Sequence, residues 1–264
     1  MTQGRLAGRV ALVTGGGEGI GRSIVRRLVA DGAAVVVAEI NPDLGRQVEE
    51  EFGNRVRFVQ TDVMQRDQVE AAVQAAVDAF GSIDILVNNA WGGGSTSRVE
   101  YKTDAQMDRG LAMGFRGPLW AMQAAFPHMK AAGWGRIINM VSLNGVNAHI
   151  GTLEYNTAKE ALRTLTRTAA REWAPTGVVV NAVAPGARSA AFERMLSNFP
   201  ELEKASSDAN PMGRVGDPDT DIAPVVAFLA SDDARYLTGN TLFVDGGSHI
   251  NGVAWQPNLP DGPV

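Results

Sequence analysis

The chain alternates short, apolar, β-branched runs with segments of helical length, and this alternation constrains its fold more than any other feature. Seven runs are predicted as strands, over residues 9–14, 33–38, 55–60, 83–87, 136–141, 178–183 and 241–244. Strands that are apolar on both faces are typical of a parallel sheet that is covered by helices on two sides. We therefore predict an α/β fold with a doubly wound, seven-stranded parallel sheet.

Five helices are predicted between the strands, over residues 20–30, 66–80, 103–132, 153–173 and 221–230. Residues 186–215 are long and polar and are predicted as an irregular substrate loop or lid, since loops of this length often bind ligands. Residues 248–264 form a Gly- and Pro-rich C-terminal tail, which either covers a neighbouring active site or is a loosely ordered end. No linker divides the chain, so residues 1–264 are predicted to form a single domain.

Charge and composition exclude several classes of protein. The 264 residues carry a net charge of −5 without a basic stripe, so no nucleic-acid partner is expected. The absence of cysteine excludes disulfides and thiolate chemistry. The three histidines, His128, His149 and His249, lack ligand spacing, and no metal site is expected. Without a secretory signal or an apolar run of about 18 to 20 residues, we expect a cytoplasmic protein with no membrane contact.

A glycine-rich turn, TGGGEGIG at residues 14–21, follows the first strand and opens the first helix. Glycines let the backbone bend sharply and approach a pyrophosphate, and the helix N-terminus offers unpaired N–H groups. The alternative is a tight connection that holds no ligand, which the position of the turn in an α/β alternation disfavours. The residues predicted to hold a dinucleotide here are Gly15, Gly17, Glu18, Gly19 and Ile20. The fold is therefore predicted to be a Rossmann-type, dinucleotide-binding domain.

Two acidic residues favour NAD over NADP as the dinucleotide. Glu39 ends the second strand, where its carboxylate could accept hydrogen bonds from an adenosine ribose and would repel a 2′-phosphate. Glu18 places a second negative charge in the turn itself. The alternative is that Glu39 is only a solvated strand end.

Several further motifs follow in order along the chain. They are Thr61-Asp62-Val63, Asn88-Asn89-Ala90, Ser142, Tyr155-Asn156-Thr157-Ala158-Lys159, Pro185-Gly186, Asn210-Pro211-Met212-Gly213-Arg214 and Phe243-Val244-Asp245-Gly246-Gly247. Together with the turn at residues 14–21, which fits a TGxxxGxG pattern, they resemble the short-chain dehydrogenase/reductase family, including its NNAG and YxxxK patterns. The resemblance implies an NAD-dependent oxidoreductase that acts on a small-molecule substrate and assembles as a homotetramer.

The resemblance also implies roles for individual residues. Ser142, Tyr155 and Lys159 match the catalytic residues of the family. Cofactor contacts are implied for Asp62, Val63, Asn89, Ala90, Tyr155, Lys159, Pro185, Gly186 and Ser189. The family's substrate pocket follows the loop after Ser142, which makes Asn144 and His149 candidate substrate contacts, although His149 is equally consistent with a surface histidine. Trp91 and Phe192 complete the candidate substrate residues.

The spacing of Tyr155 and Lys159 has a chemical consequence. Residues i and i+4 share one face of a helix, so the amine is expected beside the phenol. A phenol with an ordinary pKa of about 10 is a poor base at neutral pH, and a nearby ammonium is expected to lower that pKa by about 1 to 3 pH units. Tyr155 would take the alcohol proton during oxidation and return it to the carbonyl oxygen during reduction. Ser142 would hydrogen-bond the substrate oxygen.

Three positions depart from the family pattern. Gly114 stands where the family has an Asn that connects the Lys to solvent through a water, and Trp91 replaces the last glycine of NNAG. Ala190 replaces a Thr that contacts the nicotinamide, with Ser189 beside it as a replacement. At Gly114, either water alone carries the relay, a nearby group substitutes, or turnover is slow. We expect Gly114→Asn to raise the rate if the relay is limiting.

More than one function is consistent with these observations. The preferred hypothesis is NAD(H)-dependent interconversion of a secondary alcohol and a ketone of small to medium size, mainly apolar and cyclic or aromatic. This substrate is inferred from the apolar side chains Trp91, Leu143, Phe192 and Met195. The alternatives are an NAD-binding scaffold or redox sensor with little catalysis, and a non-redox lyase on the same fold. The implied homotetramer would form partly through residues 103–131 and 153–173.

Overall fold

Seven strands lie side by side in one sheet in the computed structural model, which describes residues 4–94, 96–199 and 201–250. They are β1 (Val10–Thr14), β2 (Ala34–Glu39), β3 (Val56–Gln60), β4 (Ile85–Asn88), β5 (Gly135–Met140), β6 (Val178–Pro185) and β7 (Thr241–Val244). Their order is β3-β2-β1-β4-β5-β6-β7, and every neighbouring pair is parallel. The predicted α/β, Rossmann-type, seven-stranded parallel sheet is confirmed.

The helices occupy both faces of this sheet. They are α1 (Gly19–Ala30), α2 (Pro42–Phe52), α3 (Arg66–Phe80), α4 (Asp104–Leu111), α5 (Gly117–Ala132), α6 (Leu143–Val146), α7 (Leu153–Trp173), α8 (Ala190–Leu196), α9 (Glu201–Asp208) and α10 (Ala223–Leu229). The helix predicted over residues 153–173 has those bounds, since its apolar face repeats every three to four residues against the sheet. No helix in the described ranges is long and apolar enough to cross a membrane.

Helix α2 is absent from the sequence prediction, although its start carries strong local signals. The Asn41 side chain caps it by accepting hydrogen bonds from the amides of Asp43 and Leu44, and Pro42 occupies the first turn. The helix forms the crossover from β2 to β3. It brings Leu44 to the glycine turn, where this side chain lines the same cavity as Glu39.

The segment 186–215 was predicted as irregular, and this is corrected by the structure. It contains two helices, α8 and α9. The hydroxyl of Ser189 accepts a hydrogen bond of 3.1 Å from the amide of Phe192, which starts α8 with a local side-chain cap. Of the tail 248–264, the structure describes only residues 248–250, which form a short 3₁₀ turn. The predicted role of the remaining tail lies outside the described residues.

The long middle helix predicted over residues 103–132 is divided by a π-helical turn. Thr103 and Gln106 form a capping box at its start. The turn, Ala112–Arg116, separates α4 from α5 and contains the buried Gly114. A π turn inserts one residue into the hydrogen-bond ladder, and such insertions often occur at functional sites.

Two apolar layers fix the sheet between the helices. On one face, Ile24 and Leu28 of α1 and Val226 of α10 are fully buried against the strands. On the other face, Met122 and Met129 of α5 are equally buried. Each such side chain contributes about 1.5–3 kcal/mol when removed from water. The strand ends are therefore held rigidly, which is what a precise site at the edge of the sheet requires.

The topology places a crevice at the carboxyl edge of the sheet. β1 lies between β2 and β4, so the strand order reverses there, and ligands of doubly wound sheets bind at such switch points. Glu39, Asn88, Met140 and Pro185 end their strands at this same edge. The sequence analysis assigned the glycine turn and the Tyr–Lys motif to one site. In this fold, the carboxyl edge of the sheet is where such a site would form.

Candidate active site

The carboxyl ends of the strands open onto a cavity of about 820 Å³. Most of the predicted site residues line it. They are Gly15, Glu18, Gly19, Ile20, Glu39, Asp62, Val63, Asn89, Ala90, Trp91, Asn144, Tyr155, Lys159, Pro185 and Ser189. One crevice thus holds the glycine turn, the acidic end of β2 and the Tyr–Lys pair.

Gly17 and Gly186, both predicted as cofactor contacts, lie outside the cavity lining. The amide of Gly17 donates to Oε2 of Glu39 at 3.1 Å instead. A Cβ atom on Gly186 would lie 2.7 Å from Cα of Asp245, so a side chain there would collide with the backbone after β7. Both glycines serve close packing of the chain against itself.

His149 and Phe192, predicted as substrate contacts, are not brought to the cavity either. His149 is exposed, and its Nδ1 atom lies 3.2 Å from the hydroxyl of Thr152. Phe192 is half-buried on α8, whereas the neighbouring Ala191 lines the cavity. Successive residues of a helix point in different directions, so the contact of Ala191 with the cavity does not extend to Phe192.

The glycine turn is fastened to the end of β4 by Thr14 and Asn89. The Thr14 hydroxyl accepts hydrogen bonds from the amides of Asn89 and Ala90, at 3.0 and 3.1 Å. The Asn89 amide group donates to the carbonyl oxygens of Thr14 and Gly15, at 3.0 and 2.9 Å. Asn89 therefore shapes the turn with its side chain, a role that its motif alone did not reveal.

The turn has the form of an anion cradle. Gly15 has φ 64°, and a Cβ atom on it would lie 2.9 Å from Cα of Ala90. Glu18 precedes α1 but does not cap it with its side chain. The first amides of α1 therefore lack a side-chain cap and face the cavity at the positive end of the helix dipole.

Glu39 is buried, with a relative exposure of 7%. Its two carboxylate oxygens accept hydrogen bonds from the amides of Gly17 and Asn41, at 3.1 and 3.0 Å. These contacts fix the carboxylate at the cavity wall beside the turn. The alternative that Glu39 is a solvated strand end is therefore excluded.

Glu18 was predicted to add a second negative charge at the turn, but its carboxylate is paired with an arginine. Nη1 of Arg194 lies 2.9 and 3.2 Å from its two carboxylate oxygens. Arg194 belongs to α8, in the segment predicted as a lid. Its cation offsets the charge of Glu18 at the turn, so of the two acidic residues only Glu39 supports the predicted preference for NAD.

Tyr155 lines the cavity, whereas Ser142, predicted as a catalytic residue, lies outside the lining and reaches the site through a hydrogen bond with the Tyr155 phenol. Ser142 follows β5, and its hydroxyl oxygen accepts a hydrogen bond of 3.1 Å from the amide of Asn144, which caps α6. Its proton is free to be donated to the phenol. Burial raises the pKa of Tyr155 above its ordinary value, while the hydrogen bond with Ser142 acts in the opposite direction.

Lys159 is buried, with a relative exposure of 4%, and its Nζ donates a hydrogen bond of 2.8 Å to the carbonyl oxygen of Met140. Burial lowers its pKa from 10.5 to about 8. Nζ lies 5.6 Å from the centroid of the Tyr155 ring. The prediction that this amine lowers the pKa of Tyr155 is contradicted, because desolvation dominates and the amine is directed to a backbone carbonyl.

Sequence reasoning missed the residues at the far end of the cavity. Those are Gly92, Gly94, Thr96, Arg109, Met113, Thr152 and Glu154. Glu154 forms a buried ion pair with Lys102, with 2.6 Å between Oε2 and Nζ. The position of Glu154 directly before Tyr155 is the one local signal that could have indicated it. The others come from the loop after β4, from α4 and the π-helical turn that follows it, and from Thr152 at the start of α7, and their approach depends on tertiary packing.

Comparisons with known proteins agree with this geometry. A family model described as enoyl-(acyl carrier protein) reductase matches residues 15–249. A crystal structure of 3-ketoacyl-(acyl-carrier-protein) reductase from Brucella melitensis, complexed with NADH, superposes with a TM-score of 0.86 at 32% identity. The match covers 92% of this chain and 99% of the other.

Curated relatives match over nearly their whole length. A 3-alpha-(or 20-beta)-hydroxysteroid dehydrogenase from Mycobacterium bovis is 37% identical over 253 residues, which cover 95% of this chain and 93% of the relative. A 2,5-dichloro-2,5-cyclohexadiene-1,4-diol dehydrogenase from Sphingobium indicum is 35% identical over 246 residues, which cover 92% of this chain and 97% of the relative. Both names denote dehydrogenases of alcohols whose carbon skeletons contain rings, a hydroxysteroid and a cyclohexadiene diol.

Proposed function

This chain belongs to the short-chain dehydrogenase/reductase family and is an oxidoreductase; we propose that it interconverts a secondary alcohol and a ketone, with NAD(H) as the hydride carrier. The observation that carries the proposal is that Lys159 and Tyr155, the latter hydrogen-bonded to Ser142, line the cavity that also contains the glycine turn. A phenol, a hydroxyl and an amine next to a phosphate cradle form the set of groups that carbonyl reduction needs.

The residues at the turn fit a dinucleotide. Glycines 15 and 19 leave the cradle free of side chains, and the first amides of α1 can hold a pyrophosphate. Glu39 can hydrogen-bond a ribose hydroxyl and repels a 2′-phosphate, which supports NAD. NAD(H), when bound, supplies or accepts the hydride.

Tyr155 would act as the proton donor in reduction. Its raised pKa keeps the phenol protonated at neutral pH, so it can donate to the carbonyl oxygen of a ketone. Ser142 would hold that oxygen with a second hydrogen bond. In oxidation the same phenol, once deprotonated, would accept the alcohol proton, and higher pH would favour this direction.

The substrate we propose is a cyclic ketone or alcohol of small to medium size. The cyclic alcohols in the names of the relatives support this class. The far end of the cavity combines the apolar Trp91 and Met113 with the polar Thr96 and Arg109. Leu143 and Phe192 are absent from the lining, and the side chain of Met195 lies outside the described residues.

Assembly as a homotetramer remains a prediction from the family resemblance, and a cytoplasmic location remains a prediction from the sequence. Light scattering of the purified protein would measure the assembly, with four chains as the expected result. A mass of one or two chains would contradict it.

The test of the proposed function uses the purified protein and NADH. We expect loss of NADH absorbance with members of a panel of cyclic and steroid ketones. Binding of NADH without turnover across the panel would support the scaffold or sensor alternative. Turnover of a hydroxylated substrate without any change in NADH would support the lyase alternative.

A further inference from the structure

The indole ring of Trp91 packs against Gly114 at the edge of the active site. A Cβ atom on Gly114 would lie 2.9 Å from Cζ3 of Trp91 and 2.8 Å from Cβ of Ala158. Both distances are shorter than real Cβ contacts, and neither neighbour is the loose end of a flexible side chain. The indole therefore fills the volume that any side chain at residue 114 would need.

The same indole contacts the two central groups of the site. Its ring meets that of Tyr155 at an angle of 71°, with 4.7 Å between the centroids. This edge-to-face arrangement is one that aromatic pairs favour. Nζ of Lys159 lies 5.4 Å from the indole centroid, within the range of a cation–π contact. Trp91 lines the cavity together with Tyr155 and Lys159, so the indole covers part of both groups on that side.

The segment that carries Trp91 is attached to the π-helical turn. The amide of Gly92 donates a hydrogen bond of 3.2 Å to the sulfur of Met113, the residue before Gly114. Adjacent residues of the loop after β4 thus contact adjacent residues of the turn. These two contacts fix the position of the indole relative to the π-helical turn.

We propose that Trp91 is a positioning residue, which sets the orientation of the Tyr155 ring and keeps water from Tyr155 and Lys159, and that Gly114 is glycine because it must admit the indole. The positioning role rests on the proposed function, whereas the packing of the pair does not. One consequence changes an expectation from the sequence: Gly114→Asn would not open a relay, because its side chain would displace the indole from the phenol.

A stability cycle tests the packing without any substrate. Alanine has a higher helix propensity than glycine, so Gly114→Ala should stabilise the protein unless its Cβ collides with a neighbour. A loss of stability in this variant therefore reports the collision. We expect its melting temperature to fall by roughly 2 to 12 °C in the natural background. When Trp91→Gly is already present, Gly114→Ala should lower the melting temperature by less, and the decrease that remains would come from the contact with Ala158. A Trp134→Gly background is the matched control, in which the fall should be unchanged. An equal fall in all three backgrounds would overturn the pairing.

Titration of the phenol tests the positioning role, also without a substrate. The chain has three tyrosines, of which Tyr101 and Tyr236 are exposed, and Tyr155→Phe identifies the third signal in the ultraviolet phenolate spectrum. The charged groups that approach this part of the cavity are Lys159 from α7, the Lys102–Glu154 pair and Arg109. Trp91→Leu leaves these charges in place and admits water, so Tyr155 should titrate at lower pH.

Kinetics then separate positioning from simple destabilisation. For ketone reduction, we expect Trp91→Leu to lower kcat about tenfold or more with little change in NADH affinity, and Trp91→Phe to recover most of it. The pH midpoint of alcohol oxidation should move in the same direction as the phenol titration. An unchanged titration and an unchanged kcat in Trp91→Leu would overturn the positioning role. If the natural protein turns over no ketone, the proposed function fails, while the stability cycle and the titration still decide this inference.

Discussion

Oε2 of Glu39 accepts a hydrogen bond of 3.1 Å from the amide of Gly17, which joins the end of β2 to the glycine turn. The second oxygen accepts from the amide of Asn41. The carboxylate is thus held at the cavity wall by two backbone groups before any ligand binds. We propose that this fixed position, together with the charge, lets Glu39 act in choosing the dinucleotide.

Neutralising Glu39 should shift the cofactor preference toward NADPH. Glu39→Gln keeps an oxygen for one of the two amides but removes the charge that repels a 2′-phosphate. We expect the ratio of NADPH to NADH affinity to rise about tenfold or more, which corresponds to about 1.4 kcal/mol. Fluorescence titration with both nucleotides measures it, and Glu50→Gln on the exposed face of α2 is the charge-matched control. An unchanged ratio would remove Glu39 from cofactor selection.

The pair between Arg194 and Glu18 should contribute modestly to cofactor binding. Arg194→Gln leaves the carboxylate of Glu18 unpaired next to the phosphate cradle, so NADH affinity should fall about two- to fivefold, as expected for an exposed pair. Adding Glu18→Gln should restore the affinity, and Arg235→Gln is a control for loss of an exposed arginine. Equal affinities in Arg194→Gln with and without Glu18→Gln would contradict this account.

We expect Ser142 to have two functions, which two measurements on one variant should separate. Ser142→Ala removes the cap of α6, at a cost of about 1 kcal/mol. It also removes the hydrogen bond that opposes the rise in the pKa of Tyr155, so the rise of alcohol oxidation with pH should move to higher pH. Ser231→Ala removes a comparable cap at a distant 3₁₀ turn and should lower stability without moving the pH profile. A profile in Ser142→Ala identical to that of the natural enzyme would argue against the pair with Tyr155.

Burial of Lys159 should be visible in the pH dependence of stability. Because the folded state lowers the pKa of this amine from 10.5 to about 8, holding it charged costs about 3 kcal/mol below pH 8. This cost disappears as the pH rises from 8 to 10.5, so the contribution of Lys159 to the free energy of unfolding increases over that range. Lys159→Met removes the titration, and its stability relative to the natural protein should fall by about that amount between pH 7 and 10.5. Denaturant unfolding measures it, with the exposed Lys130→Met as a control; a difference independent of pH would contradict the shift.

The parts of this site that could be predicted from sequence are those fixed by local patterns. The glycine turn follows from glycines between a strand and a helix, and the proximity of Tyr155 and Lys159 from i,i+4 spacing. Glu39 was predicted at the end of the second strand because the continuous apolar run at residues 33–38 stops abruptly before it. In each case the signal lies within a few residues of the feature.

The parts that could not be predicted depend on contacts between distant segments. The Met140 carbonyl that binds Lys159, the Arg194 side chain that pairs with Glu18, and the Trp91 ring against Gly114 have no local signature. The direction of the Tyr155 pKa was mispredicted for the same reason. Spacing indicates that an ammonium is near, but only the packed structure gives the desolvation that outweighs it.

The central claim is that Tyr155 transfers the proton at a site that binds NAD(H), and Tyr155→Phe tests it most directly. The measurement is NADH oxidation by a ketone that the natural protein reduces, together with NADH affinity for both proteins. We predict a loss of turnover of about 100-fold or more with affinity within about twofold, since general acid catalysis contributes about 10² to 10⁴ in rate. The exposed Tyr101→Phe is the matched control. Equal turnover by Tyr155→Phe and the natural protein would contradict the account.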